Sequence, residues 1–228
     1  MSMRNDGRRI MSGMTVRVSL AAAAMMLFGA APAPDTGPRP SIVRVRLDTS
    51  VGRILLALDA RRAPATTANF LKYVDDGRFD GTSFYRAARS KKVPGQGFIQ
   101  GGIRQDARRI LPPYPLETTR KTGIRHLDAT VSMARAANPD SAGGNFVITV
   151  GPAPQMDWSP RFEGYAAFGH AIAGTDTVKR ILALPSGGGF DAFKGQMILR
   201  PVTLIRAVRL DGKPQPTKEP RIWTWMPR

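Results

Sequence analysis

The stretch "SFYRAARSKKVPGQGFIQGG", Ser83 to Gly102, contains two short runs with strand-like alternation. They are "TSFYRAAR" (82–89) and "GFIQGG" (97–102), joined by a polar loop from Ser90 to Gln96. Arg86 follows two aromatics, Phe84 and Tyr85, while Phe98, Ile99 and Gln100 lead into a double glycine. The stretch has no carboxylate, no cysteine and no serine–histidine–aspartate set. Its glycines at 95, 97 and 101 miss the G-x-G-x-x-G spacing by one residue, and no Gly-Lys-Ser/Thr follows, so it is not a phosphate loop. What remains is an arginine donor, an amide and an apolar wall, with no nucleophile.

Outward from this pair the pattern stays mostly β. "SIVRVRLDTSVGRILLALD" (41–59) reads as a hairpin: Val43, Val45 and Leu47 share one face, and Ile54, Leu56 and Leu58 repeat it after the "DTSVG" turn. "APATTANFLKYVDDG" (63–77) reads as a short amphipathic helix, with Pro64 near its start, Gly77 past its end, and Ala68, Phe70, Leu71 and Val74 at helical spacing. Residues 103–128 are mostly loop. "ATVSMARA", "NFVITV", "YAAFGHAIAG" and "MILRPVTLIRAVRL" read as further strands. "TDTVKRILALP" is a second helix, capped by Thr175 or Asp176 and stopped by Pro185. Many short strands with two helices predict an all-β barrel or sandwich with helices packed outside. Periodicity leaves both architectures open.

The ends and the charge add context. Arg4, Arg8, Arg9 and Arg17 precede a run that is uncharged from Val18 to Pro34, the pattern of a secretory signal. Cleavage after Ala31 or Ala33 fits the small-residue rule. The expected organisation is a signal over 1–33, a Pro/Gly linker over 34–40, a domain over 41–210 and a basic, Pro-rich tail over 211–228 that is largely loose. The apolar run is short for a membrane span; an uncleaved membrane anchor is the alternative to a periplasmic or secreted product. The 228 residues carry 34 Lys+Arg against 17 Asp+Glu, a net charge of +17. A field of that sign favours acidic partners and weak contact with anionic surfaces. The charges are scattered, which argues against a nucleic-acid tail. With no cysteine, thiol catalysis, disulfides and thiolate metal sites are excluded. His126 and His170 have no carboxylate at ligand spacing, so no metal site is read and packing or surface roles are expected for both.

Three motifs, in order, carry a family resemblance. "SFYRAARSKKVPGQGFIQGG" resembles the cyclophilin pattern of Phe-x-Arg, a loop, then Gly-Phe-x-Gln-Gly-Gly. "ATVSMARAANPDSAGGNFVITV" resembles that family's second signature, and "QMDWSPRFEGYAAFG" its third. The resemblance runs from about Val43 to Leu210 and is nearest to the bacterial exported cyclophilins. It implies a closed eight-stranded antiparallel barrel with two capping helices, and peptidyl-prolyl cis–trans isomerase activity on proline-containing chains without a cofactor. It also implies site roles. Arg86 would act on the prolyl nitrogen and Gln100 would hold Arg86 or the substrate backbone. Phe98, Ile99, Val147 and Met156 would line the proline pocket, with Phe146 nearer the core. Ala134 and Arg135 would meet the substrate backbone, Asn145 would hydrogen-bond it, and Tyr165 would contact the carbonyl side. A cyclophilin-like module that binds Pro-containing segments without turnover is the alternative. It is suggested by Val147, where the family commonly has phenylalanine, and by Asn145, one methylene shorter than the usual glutamine. Gln155 stands where many members have tryptophan, and the long "ARSKKVPGQ" loop adds Lys91 and Lys92.

Overall fold

The structure is a computed structural model and describes residues 41–219. The expected signal (1–33), the linker (34–40) and the last nine residues of the tail lie outside the described residues. Among the described residues there are nine strands: β1 (Ile42–Thr49), β2 (Gly52–Asp59), β3 (Thr82–Arg89), β4 (Gly97–Gly102), β5 (Thr130–Met133), β6 (Asn145–Val150), β7 (Ala166–Ala173), β8 (Ser186–Gly187) and β9 (Met197–Arg209). All pairings are antiparallel, in the order β1-β2-β7-β5-β6-β4-β3-β9, and β9 returns to pair with β1. Eight strands therefore close on themselves as a barrel, and the two-residue β8 is an extra rung on β9. Closure decides between the two architectures left open by periodicity, and it leaves no free edge in the ring.

The lumen is filled with side chains. Val43, Val45 and Leu47 from β1 and Ile54, Leu56 and Leu58 from β2 all point into one core cluster, as alternation predicts. Its centre is aromatic: Phe70, Phe79, Phe84, Phe146 and Phe168 contact one another with ring centroids 5.0 to 5.6 Å apart. Edge-to-face geometry predominates around Phe146, the arrangement that aromatic quadrupoles favour. No substrate could enter such an interior, so a site must lie on the outer wall or rim.

Helix α1 (Pro64–Asp75) buries Phe70, Leu71 and Val74 in this core. Ala68, expected on the same stripe, is exposed, and Thr67 takes that face instead. The N-terminus of α1 has no side-chain cap from its own sequence. The buried carboxylate of Glu117 supplies one from outside the helix: it accepts from Ala65 N (3.1 Å), Thr66 N (2.8 Å) and Thr66 Oγ1 (2.7 Å). A negative charge there also suits the helix dipole. Within the 103–128 segment, expected to be mostly loop, Thr119–Thr122 forms a one-turn helix, α2. Helix α3 (Thr175–Ala183) buries Val178, Ile181 and Leu182. Its cap is neither Thr175 nor Asp176 but Gly174, at φ 77°. A Cβ at Gly174 would collide with the Arg53 carbonyl oxygen, so close approach to β2 decides this position rather than capping chemistry.

The start of the tail is not loose. Asp211 accepts from the Arg44 backbone and guanidinium at 2.7–2.9 Å. Gln215 N donates to Asp75 (2.9 Å), Thr217 N and Oγ1 donate to Asp76 (both 2.6 Å), and buried Arg78 donates to the Glu219 carbonyl (2.9 Å). Residues 211–219 thus form a strap from β1 to the C-terminal end of α1 and the turn after it.

Candidate active site

One row of residues crosses the outer wall of the barrel. Arg86 on β3 pairs with Gln100 on β4, Gln100 with Val147 on β6, and Val147 with Ser132 on β5. Their strand neighbours Ala87, Ile99, Phe146, Ile148, Val131 and Met133 face the core, so the row faces outward. A bulge makes this possible on β3. The register shifts between Phe84 and Arg86, so Phe84 and Ala87 both point inward. Tyr85 and Arg86, although consecutive, both serve the outer face. An extra residue in one strand breaks the period of two in this way.

The double glycine after Gln100 has a steric origin. A Cβ at Gly101 would lie 2.7 Å from Phe84 Cδ1. Gly102 has φ 121°, and a Cβ there would strike the Gly144 carbonyl oxygen. The two glycines let β4 lie flat against Phe84 and β6, which fixes the height of Gln100 above the wall.

Arg86 is half-buried and held from four directions. Its Nη1 donates to Gln100 Oε1 (2.9 Å) and its Nε to Gln196 Oε1 (2.9 Å). The guanidinium carbon lies 5.0 Å from the centre of the Phe98 ring and 4.3 Å from that of Phe193, within cation–π range. Among the described residues, Nη2 has no hydrogen-bond partner and no carboxylate forms an ion pair with Arg86. Burial lowers the affinity of the guanidinium for its proton, and Tyr85 and Tyr165 nearby oppose that shift; arginine nonetheless stays charged. Gln100 is oriented without ambiguity, because its Nε2 donates to Tyr85 Oη (2.9 Å) while Oε1 faces Arg86. Burial pushes the Tyr85 phenol up to about 12, with Arg104 the chief opposing influence. It therefore remains a neutral hydroxyl and donates a hydrogen bond to Asn145 Oδ1 (3.2 Å).

Beside this arginine lies a small apolar cluster, separate from the core: Val147, Ala153 and Met156, with Phe98, Ala134 and Tyr165 packed against it. Five of the six were expected at the site; Ala153 was not. Ile99 is the correction. It is fully buried in the barrel core, because neighbours on a strand point to opposite faces and Phe98 and Gln100 take the outer one. Phe146 is in the core, as expected. Asn145 is largely committed: Oδ1 also accepts from Arg104 N (2.8 Å) and Nδ2 donates to Arg104 O (2.8 Å). Its amide holds the turn after β4. The Arg135 side chain turns back to Gly164 O (2.9 Å) and lies over Tyr165 at 5.2 Å, so it packs behind the Tyr165 side of the apolar cluster.

Three contributors escaped sequence reading. Tyr85 was hidden by the bulge. Phe193 and Gln196 lie in the loop between β8 and β9, more than a hundred positions from Arg86 in the chain; only the "GGGFDAF" run marked that loop as a tight, aromatic turn. His126 takes the packing role of the two expected for it, not the surface one. It is buried, with Nδ1 2.7 Å from Asp157 Oδ1 and Nε2 2.9 Å from Ser132 Oγ. A carboxylate only accepts, so Nδ1 carries the proton and Ser132 donates to Nε2. The order Asp–His–Ser matches a hydrolytic relay, but Ser132 is fully buried beneath the apolar cluster and cannot reach a substrate. The chain instead braces the turn that carries Met156, to which His126 also bonds through its backbone (Ala153 N, 2.8 Å; Asp157 Oδ1, 3.0 Å). Burial lowers the His126 pKa against the opposing pull of Asp157, favouring the neutral ring this arrangement needs.

Comparison with known proteins identifies the family. Residues 44–222 match the family described as cyclophilin type peptidyl-prolyl cis-trans isomerase. The chain is 36% identical over 137 residues to peptidyl-prolyl cis-trans isomerase A of Dickeya dadantii, covering 60% of this chain and 70% of that protein. It is 36% identical over 146 residues to the isomerase cyp18 of Streptomyces antibioticus, covering 63% and 85%. Among solved structures, a cyclophilin type isomerase of Cryptosporidium parvum superposes with a TM-score of 0.58 at 22% identity, covering 75% of this chain and 99% of that one. The same Cryptosporidium protein has been crystallised in the presence of the dipeptide Ala-Pro.

Proposed function

The chain belongs to the cyclophilin-type peptidyl-prolyl cis-trans isomerase family, and on that premise we propose that the Arg86 row is where it accelerates rotation about X–Pro bonds. Rotation makes and breaks no lasting covalent bond. Its obstacle is amide resonance, a barrier of about 18–20 kcal/mol. In the twisted amide the prolyl nitrogen regains a lone pair, and a donor aimed at it stabilises that state but neither planar form. Arg86 is such a donor. Two amide oxygens fix its plane and two aromatic faces fix its tilt, while among the described residues Nη2 stays unclaimed and no carboxylate neutralises the charge. This is the observation that carries the reading. Val147, Met156, Phe98 and Tyr165 form the apolar surface for the proline ring.

The test is prolyl exchange in a short X–Pro peptide, followed by NMR, with the wild type and Arg86→Ala. Loss of one preorganised donor is expected to lower kcat/KM about 100- to 1,000-fold. Equal rates in the two proteins would refute the assignment. Peptide binding with no exchange by the wild type would favour the non-catalytic module suggested by Val147 and Asn145.

The clients, in this reading, are exported polypeptides. The support is the signal-like start, Arg4 to Pro34, and the net charge of +17 suits acidic chains. Sequencing the N-terminus of protein from fractionated cells is expected to find it beginning near residues 32–34 in an extracytoplasmic fraction. A product retaining its first residues in the cytosol would overturn this location.

A further inference from the structure

We propose that Phe193 and Gln196 are positioning residues for Arg86: together they hold its guanidinium in one plane from the side opposite Gln100 without neutralising it. The proposal rests on the reading of Arg86 as the group that acts on the prolyl nitrogen.

The argument starts from what Gln100 alone can do. One hydrogen bond to Nη1 leaves the guanidinium free to swing about that contact. The second bond, from Nε to Gln196 Oε1 (2.9 Å), removes this freedom. Gln196 is itself oriented, because its Nε2 donates to Ala192 O (2.9 Å), so Oε1 must face Arg86. The aromatic faces of Phe98 and Phe193, at 5.0 and 4.3 Å, then set the tilt.

The loop that brings these groups is built to stay put. Ala87 N donates to Gln196 O (2.9 Å), Gln196 N to Phe193 O (3.0 Å) and Gly195 N to Gly188 O (2.6 Å). Rungs Ser186–Ile198 and Gly187–Met197 close its base. Arg89, at the end of β3, donates to Leu182 O (2.8 Å) and Ser186 Oγ (3.0 Å), tying the same base to α3. Phe193 is 38% exposed, and its stacking on Arg86 gives a reason for an aromatic at so open a place.

The chemical choice of holder matters as much as its position. A carboxylate would hold Nε more strongly, but it would also pair with the charge that must act on the developing lone pair. Two glutamines give direction without that competition. A charge-neutral clamp therefore serves transition-state stabilisation rather than stability alone.

The experiment compares full-length wild type, Gln196→Glu, Phe193→Leu, Phe193→Tyr and Arg86→Ala. It measures kcat at saturating X–Pro peptide and peptide affinity by NMR titration, with circular dichroism to confirm folding. Gln196→Glu keeps both shape and acceptor, so a merely structural role predicts no change. The proposal predicts a fall in kcat of about tenfold, in line with the sensitivity of rate to small misplacements of a catalytic group, with affinity within about twofold of wild type. Phe193→Leu, which keeps bulk and loses the π-face, is expected to lower kcat about threefold to tenfold, and Phe193→Tyr to restore it. Wild-type kcat in Gln196→Glu or in Phe193→Leu removes that residue from the proposal. Arg86→Ala separates the two levels. Retained exchange there overturns the reading of Arg86 and the clamp with it, whereas loss there alongside wild-type kcat in the other variants overturns the clamp alone.

Discussion

At the scale of single residues, the site is defined by what each polar atom is already doing. Tyr85 shows this best. Its hydroxyl accepts from Gln100 Nε2 and donates to Asn145 Oδ1, so it joins the arginine's holder to the turn after β4. Tyr85→Phe would leave Gln100 Nε2 buried without a partner. The expected cost is about 1–2 kcal/mol of stability in chemical denaturation, with a fall in kcat from a Gln100 amide no longer held in one orientation. An unchanged kcat with reduced stability would place Tyr85 in the scaffold only. Ile99 makes the opposite point. It sits between two site residues in sequence and takes no part, because a strand sends alternate side chains to opposite faces.

At the scale of elements, the helices depend on partners remote in the chain. Helix α1 starts at a proline and lacks its own cap, and buried Glu117 satisfies Ala65 N and Thr66 N from the 103–128 segment. Glu117→Ala is expected to lower stability by about 1–3 kcal/mol, combining a lost cap with donors left unpaired in a buried place. Thermal unfolding checks this, and a wild-type midpoint would show that water replaces the carboxylate. Prolyl exchange per folded molecule should be untouched, since α1 packs chiefly against β2, β7 and β9, whereas Arg86 and Gln100 lie on the outer face of β3 and β4.

At the scale of the whole molecule, the tail strap introduces a pH dependence. Hydrogen bonds from the Arg44 guanidinium, and then from its backbone, push Asp211 down to about 2. Burial would raise Asp76, but bonds from Thr217 and Arg78 outweigh it and hold the carboxyl below its usual value. Both folded values are depressed. Their contribution is therefore complete above the ordinary carboxylate pKa of about 3.9 and is lost as pH falls toward the folded values. Asp211 is at the surface, so its share is small. The amide protons of Arg44 and Thr217 are expected to lose hydrogen-exchange protection as pH falls from about 4 to about 2, ahead of amides in the barrel core. Protection lost only together with the core would mean that the strap is held by something other than these carboxylates.

Much of this was legible in the sequence because alternation and helical spacing are local properties. The β1–β2 hairpin, the strands flanking the 90–96 loop and both longer helices follow from such patterns, and the apolar-cluster members Phe98, Val147, Met156 and Tyr165 from the family resemblance of motifs a few residues long. What the tertiary structure alone decided has one physical cause: it depends on pairs far apart in the chain. Closure of β9 on β1, the Glu117 cap, the His126–Asp157 brace and the Phe193–Gln196 clamp each join segments that no local period relates. The β3 bulge is the exception, a local event, but one that can be seen only against the strands that pair with it. Local pattern and motif supply an arginine, a glutamine and an apolar wall on a β framework; the direction the arginine faces comes from the closed barrel, because its holders sit on a neighbouring strand and on a loop more than a hundred positions away.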